Sequence, residues 1–217
     1  VLEEGTCLPI LLGNMEIILE LKKELGFETE VPIIDTKTDE EGARRNRFAN
    51  IYWESRKRRG ISLLDAQKLM RERNYFAAMM VNEGEADGLV TGYTRSYSSV
   101  VKPILQLINR APGASIVATT NMMMTARGPM FLSDTAININ PTALELAKIA
   151  IMTAKTARMF GVEPVIAMVS FSNFGSSTDE NATKIREAVA YLHEHHPDMI
   201  VDGEVQADFA LNQEMLK

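Results

Sequence analysis

The sequence predicts an α/β protein of two three-layer subdomains, each with a mainly parallel sheet, facing each other across an interdomain cleft. Three observations carry that expectation. Short apolar runs of strand length alternate with helix-length amphipathic segments, the pattern of parallel βαβ units covered by helices on both faces. The pattern halts at the Pro112-Gly113 turn and then begins again, which divides the chain into residues 1–114 and 115–217. With 217 residues, 46% of them hydrophobic and 24% charged, the chain is long enough for two cores of ordinary globular composition.

The first half opens on "CLPILLGN" (7–14), read as a strand that places Cys7 in the interior. A helix follows at 15–26, with Ile17, Ile18, Leu21 and Leu25 at helical spacing and Gly26 as its stop. "VPIID" (31–35) reads as a second strand. Residues 39–59 form a long polar helical stretch broken at Gly60. Ser62 and Asp65 then make a capping-box pattern that opens two helical pieces meeting near Asn74. "DGLVTG" (87–92) is expected as a strand and 98–110 as a helix.

In the second half, "IVATTNMMMT" and "MFLSDTAIN" read as strands, the latter running to Pro141, with Met122, Met123 and Met124 as core filler. Residues 142–161 form a strong helix ended by Gly161. A buried strand at 165–170, a helix at 181–195 and a last strand from 199 complete the series. The Ala/Ile stripe of 141–161 extends around its helix further than one core face requires, so a homodimer or higher homo-oligomer is expected through this half.

Charge and cysteine content narrow the function classes. A net charge of −6 opposes binding to nucleic acid or to an anionic membrane, and no apolar run approaches the ~20 residues of a membrane span. The single cysteine excludes an internal disulfide and, with no secretory signal, fits a cytoplasmic protein. The chain opens on Val1, which is read as the start of an excised piece. "HEHH" (193–196) has the composition of a metal cluster, but it stands at a helix end, where histidines meet the helix dipole, and no metal is expected. No Walker loop and no GxGxxG occurs.

Two strand-to-helix loops have the composition of anion sites. "SFSNFGSS" (170–177) collects Ser170, Ser172, Asn173, Gly175 and Ser176, whose hydroxyls and backbone N–H groups suit an anion at a helix N-terminus; the same residues also build ordinary βα turns. "TGYTRSYSS" (91–99) is equally rich in hydroxyls, with Arg95 and Ser96 inside it and Lys102 in the following helix. In open α/β sheets ligands sit beyond the carboxyl ends of strands, where both loops are placed. The basic run of Arg44, Arg45, Arg47 and 56–59 reads as a solvated helix face; the alternative is that the one arginine nearest Gly60 reaches into a cleft to hold a phosphate bidentately, and the acidic balance opposes a nucleic-acid surface.

"PILLGN", "RKRRG", "EADGLVTG", "VVKPILQLI", "FLSDTAININP", "EPVIAMVSFSNFGSS" and "IVDGEVQADFAL" stand in an order and spacing that resembles the phosphate acetyl/butyryl transferase family along essentially the whole chain. "GYTRSYSS" and "SFSNFGSS" are more similar to the C-terminal phosphotransacetylase-like domain of bacterial NADP-dependent malic enzymes than to free-standing transferases. The resemblance implies an acetyl-CoA-binding regulatory domain, fused to an N-terminal part that decarboxylates malate oxidatively to pyruvate with NADP and a divalent metal. It implies no cofactor and no catalytic residue in this piece itself. An active phosphate acetyltransferase and a non-enzymatic oligomerisation domain are the alternatives.

Carried over by position, Arg56 matches an arginine of the CoA/phosphate site and Ser96 a hydroxyl of the phosphate-side loop. Lys102 stands where transferases carry a further arginine, whose bidentate fork an ammonium does not reproduce. The family's Ser-Arg pair and Asp general base are expected beyond Lys217, and its first strand and helix before Val1. Both subdomains are therefore expected to be incomplete.

Overall fold

The computed structural model describes residues 2, 4–212 and 214. The chain divides into two compact units, residues 1–109 and 110–217. Both are mixed α/β, built around small sheets that are mainly parallel.

In the first unit, β1 (Leu11–Leu12) pairs in parallel with β2 (Ile33–Ile34). The crossover between them is α1 (Met15–Glu24), capped by the Asn14 side chain, which accepts from the Ile17 amide at 3.0 Å. α2 (Gly42–Arg56) runs into one turn of 3₁₀ helix, Lys57–Arg59, and Gly60 at φ 83° closes it. The Ser62–Asp65 capping box opens α3 (Leu63–Leu69), with both reciprocal bonds formed. α4 (Arg73–Asn82) is the central element: six successive residues, 75–80, are buried. Phe48 and Tyr52 of α2 meet it edge-on, with ring centroids 5.2 Å (Phe48–Phe76) and 5.8 Å (Tyr52–Tyr75) apart. Leu12 and Ile34 lay the short sheet against this core.

α5 (Tyr97–Leu107) carries Pro103 inside it. Proline has no N–H for the carbonyl four residues earlier, that of Ser99. The Asn74 side chain of α4 donates to that carbonyl at 3.3 Å, so the interior proline fastens α5 to α4.

The second unit opens with an antiparallel hairpin, β3 (Thr120–Thr125) and β4 (Gly128–Ser133), joined by the two residues Ala126-Arg127. A capping box of Thr142 and Glu145 starts α6 (Ala143–Met159), which buries Ala147, Ala150, Ala154 and Ala157 along one face. β5 (Val165–Val169) pairs in parallel with β6 (Ile200–Val205) through the crossover α7 (Glu180–His195); α8 (Ala207–Leu211) follows. Leu192 of α7, fully buried, packs with Ala147, Ala150, Met168 and Val201. Gly203 answers to sterics: φ is 142°, and a Cβ there would lie 2.5 Å from the Met168 carbonyl oxygen.

Several sequence expectations are corrected. Residues 87–92 form a loop rather than a strand, with Val90 fully exposed, because no neighbouring backbone among the described residues pairs with them. Cys7 is exposed in the segment ahead of β1, since pairing begins only at Leu11. Met122, Met123 and Met124 are 45%, 47% and 75% exposed, so they are not core filler. The first pair of strands in this unit is an antiparallel hairpin instead of a βαβ unit, and β4 stops at Ser133, not Pro141. β5 is only half covered: Val165 and Val169 are exposed, and Met168 alone is buried.

Among the described residues no helix is long and apolar enough to cross a membrane. No group of three or more His, Cys, Asp or Glu residues there could hold a metal ion. His193 contacts the Val201 carbonyl at 2.8 Å, while His195 stacks on Tyr191 at 4.2 Å, so the two histidines have separate structural roles.

Candidate functional site

A cavity of about 1200 Å³ opens within the first unit. Its walls are the segment before β1, the start of α4, the 85–95 loop and the first turns of α5. Arg95 and Lys102 both line it, together with Thr91, Thr94 and Ser99. Sequence reasoning missed two further residues there, Arg73 and Asn74, both from the start of α4. Asn74 organises the mouth: its Oδ1 accepts the Thr91 hydroxyl at 2.8 Å while its Nδ2 holds the Ser99 carbonyl. One amide side chain therefore fixes the hydroxyl-rich loop to two helices.

Arg73, Arg95 and Lys102 form no ion pair among the described residues. Of the carboxylates that share the wall, Glu85 is already paired with Arg44 and Arg47 of α2. Three cations unpaired among the described residues, on a wall that also carries hydroxyls, suit a phosphate-bearing ligand, since phosphate oxygens accept from guanidinium, ammonium and hydroxyl donors alike.

Arg56 lies elsewhere. It lines a second, smaller recess of about 260 Å³ with Tyr52, Arg59 and Gln106, and its guanidinium donates to the Gln106 carbonyl at 2.6 Å. Both phenols, Tyr52 and Tyr75, donate to Gln106 Oε1 at 2.9 Å. Burial foremost, then the neighbouring Tyr52, pushes the Tyr75 phenol up to about 12, while Arg56 opposes the rise. Both tyrosines thus remain protonated donors at neutral pH. Ser96 sits at the N-terminal edge of α5 with its hydroxyl 3.5 Å from that of Ser98, outside the cavity wall.

In the second unit the 170–177 loop is bound from within by one carboxylate. Glu204, at the end of β6, is fully buried. It accepts from the Ser172 hydroxyl at 2.9 Å, the Gly175 amide at 2.9 Å and Arg186 Nη1 at 2.8 and 2.9 Å. Burial pushes the Glu204 carboxyl up, but these donors together outweigh it and hold the group below the usual glutamate value. Ser172 is buried, so its hydroxyl serves Glu204. Asn173 pairs with Gln206 in both directions, at 2.8 and 3.2 Å, and Ser176 Oγ accepts from the Asn173 amide. The Ser170 amide donates to the Val205 carbonyl. Phe174, Gly175 and Ser176 form the exposed outer face. A signal for Arg186 was present: it shares the buried face of α7 with Ala182 and Val189, where a cation needs a counter-charge.

The family model "Phosphate acetyl/butaryl transferase" matches residues 1–217. The phosphate acetyltransferase of Clostridium acetobutylicum is 35% identical over 99% of this chain and 66% of that protein. The NADP-dependent malic enzyme of Haemophilus influenzae is 35% identical over 98% of this chain and 28% of its own length. A phosphotransacetylase structure from Streptococcus pyogenes superimposes with a TM-score of 0.82 at 38% identity, covering 99% of this chain and 65% of that one. The chain thus spans less than two thirds of the length of these relatives, and its identity to transferase and malic enzyme is alike.

Proposed function

The chain belongs to the phosphate acetyl/butyryl transferase family, and from that premise we propose that it is an acetyl-CoA-binding regulatory domain of an NADP-dependent malic enzyme. The observation that carries this reading is the cavity with Arg73, Arg95 and Lys102 on its wall. Three cations that make no ion pair among the described residues match the phosphates of a CoA ligand, and the apolar stretch at Leu8–Leu12 accommodates its uncharged parts. Lys102 favours binding over turnover. An ammonium holds a phosphate as a point charge, whereas transfer benefits from a planar fork fixed on the phosphoryl oxygens as the bond breaks.

In this reading the acyl thioester is sensed here and malate is oxidised by another part of the polypeptide, where NADP and a divalent metal act. The protein is cytoplasmic and works as a homo-oligomer. A second reading, phosphate acetyltransferase, draws on the 37% identity to the Thermoanaerobacterium thermosaccharolyticum enzyme of that name.

One experiment separates the two. Calorimetry on the full-length protein is expected to show saturable acetyl-CoA binding that Lys102→Ala weakens by about 1–3 kcal/mol, the range for losing a charged hydrogen-bond partner. Acetyl phosphate and CoA supplied together are expected to give no rise in thioester absorbance. Robust turnover would establish the transferase reading, and unchanged affinity in Lys102→Ala would remove this cavity from the account.

A further inference from the structure

We infer that Asn74 is a positioning residue: by fastening the start of α5 to α4 it sets where the Lys102 ammonium stands relative to Arg73 on the cavity wall. The inference rests on the acetyl-CoA reading above and gives a role to a residue that reading does not use.

Ser99, Lys102 and Gln106 follow one another along α5 at helical spacing, so they share one stripe of the helix. Both ends of that stripe are held by other elements. At the far end Gln106 accepts the Tyr52 and Tyr75 hydroxyls on its side chain, both at 2.9 Å, and the Arg56 guanidinium on its carbonyl at 2.6 Å. At the near end Pro103 offers no N–H to the Ser99 carbonyl, and Asn74 Nδ2 donates to it instead at 3.3 Å. The Thr91 hydroxyl, donating to Asn74 Oδ1 at 2.8 Å, fixes the amide plane in the orientation that this donation needs. Asn74 directly follows Arg73 in α4, and Lys102 directly precedes Pro103 in α5. One side chain therefore links the backbones that carry Arg73 and Lys102, two of the cavity cations.

Stability gives little reason for this link. Both Asn74 bonds are exposed, and water would satisfy the same groups if they broke. What the link supplies is a distance. Lysine carries its charge on a long flexible stem and, unlike arginine, has no rigid fork to fix its approach to a phosphate. Its aim depends on the backbone beneath it. Charge–charge attraction falls with separation, so a shift of the α5 start weakens the hold on an anionic ligand without unfolding the unit.

Asn74→Ala, Lys102→Ala and the double variant are made in the full-length protein. Three readouts are taken: acetyl-CoA affinity by calorimetry, melting temperature, and amide hydrogen exchange without ligand. Asn74→Ala is expected to bind acetyl-CoA about fivefold to tenfold more weakly at a nearly unchanged melting temperature. The Val101 and Lys102 amides are expected to exchange about tenfold or more faster, while those of Phe76 and Met79 in α4 keep their protection. In the Lys102→Ala background, adding Asn74→Ala is expected to change affinity by less than about twofold, because the side chain it positions is gone. The same loss in both backgrounds means that Asn74 meets the ligand itself, and it overturns the positioning role. Unchanged affinity in Asn74→Ala or in Lys102→Ala overturns that role too, as does a melting temperature that falls in step with affinity. Unchanged exchange in α5 overturns the link on which the role depends. Each of these outcomes leaves wild-type binding, and so the ligand reading, intact. A wild-type protein that does not bind acetyl-CoA overturns the ligand reading and the role of Asn74 with it.

Discussion

Replacing Arg186 by alanine tests the physical account of the second unit most directly. Glu204 is fully buried and Arg186 is its only charged partner among the described residues; the arginine side chain itself is 33% exposed. Removing one member of a fully buried pair costs about 3–5 kcal/mol, because a desolvated charge is left behind. Two features lower that figure here. Water reaches the site through the partly exposed arginine and screens the pair. Ser172 and the Gly175 amide also continue to donate to the carboxylate. Working down from the buried limit gives about 2 kcal/mol, to be read from urea unfolding followed by far-UV circular dichroism. The variant also loses the Arg186 bonds to the Ser177 carbonyl and the Thr183 hydroxyl, which lie on the same side of the loop.

The pH dependence gives an independent check. Glu204 titrates below its unfolded value in the native protein, so its contribution is complete above the unfolded pKa of about 4.3 and is lost as pH falls through the lower folded value. Without Arg186 the folded value moves up, and the acid loss of stability begins at higher pH than in the wild type. A destabilisation below about 0.5 kcal/mol, with an acid limb superimposable on the wild type, would refute the claim that this pair anchors the loop.

Leu192→Ala is expected to cost about 3 kcal/mol in the same urea experiment, because the side chain is fully buried between α6, α7 and the β5–β6 pair and its removal leaves a cavity; a loss under 1 kcal/mol would mean that this cluster collapses freely. Gly203→Ala is expected to be destabilising by at least about 1–3 kcal/mol of backbone strain, since φ is 142° and the new methyl would sit 2.5 Å from the Met168 carbonyl oxygen. Wild-type stability in that variant would show that β5 and β6 can move apart without penalty.

Local chemistry was legible in the sequence wherever a few neighbouring residues decide it. The capping box of Ser62 and Asp65, the stops at Gly26 and Gly60, and the helices after Pro141 and Asp179 follow from short-range hydrogen bonding and 3.6-residue periodicity, which do not depend on distant partners. The family resemblance was legible too, since it resides in motif order. Strand status was not. "DGLVTG" has the composition of a strand, but a strand exists only when another backbone pairs with it, and Val90 has none among the described residues. Apolar character likewise failed to place Cys7 and Met122–Met124 inside, because coverage is set by what packs above a residue. In the candidate sites, composition singled out the two loops but not what organises them. Asn74 reaches the 91–99 loop from 17 and 25 residues away, and Glu204 reaches the 170–177 loop from 29 and 32. Hydrogen bonds across such separations leave no periodic trace in the sequence, so only the tertiary structure could show that Ser172 serves Glu204 and that Arg56 and Lys102 line different recesses.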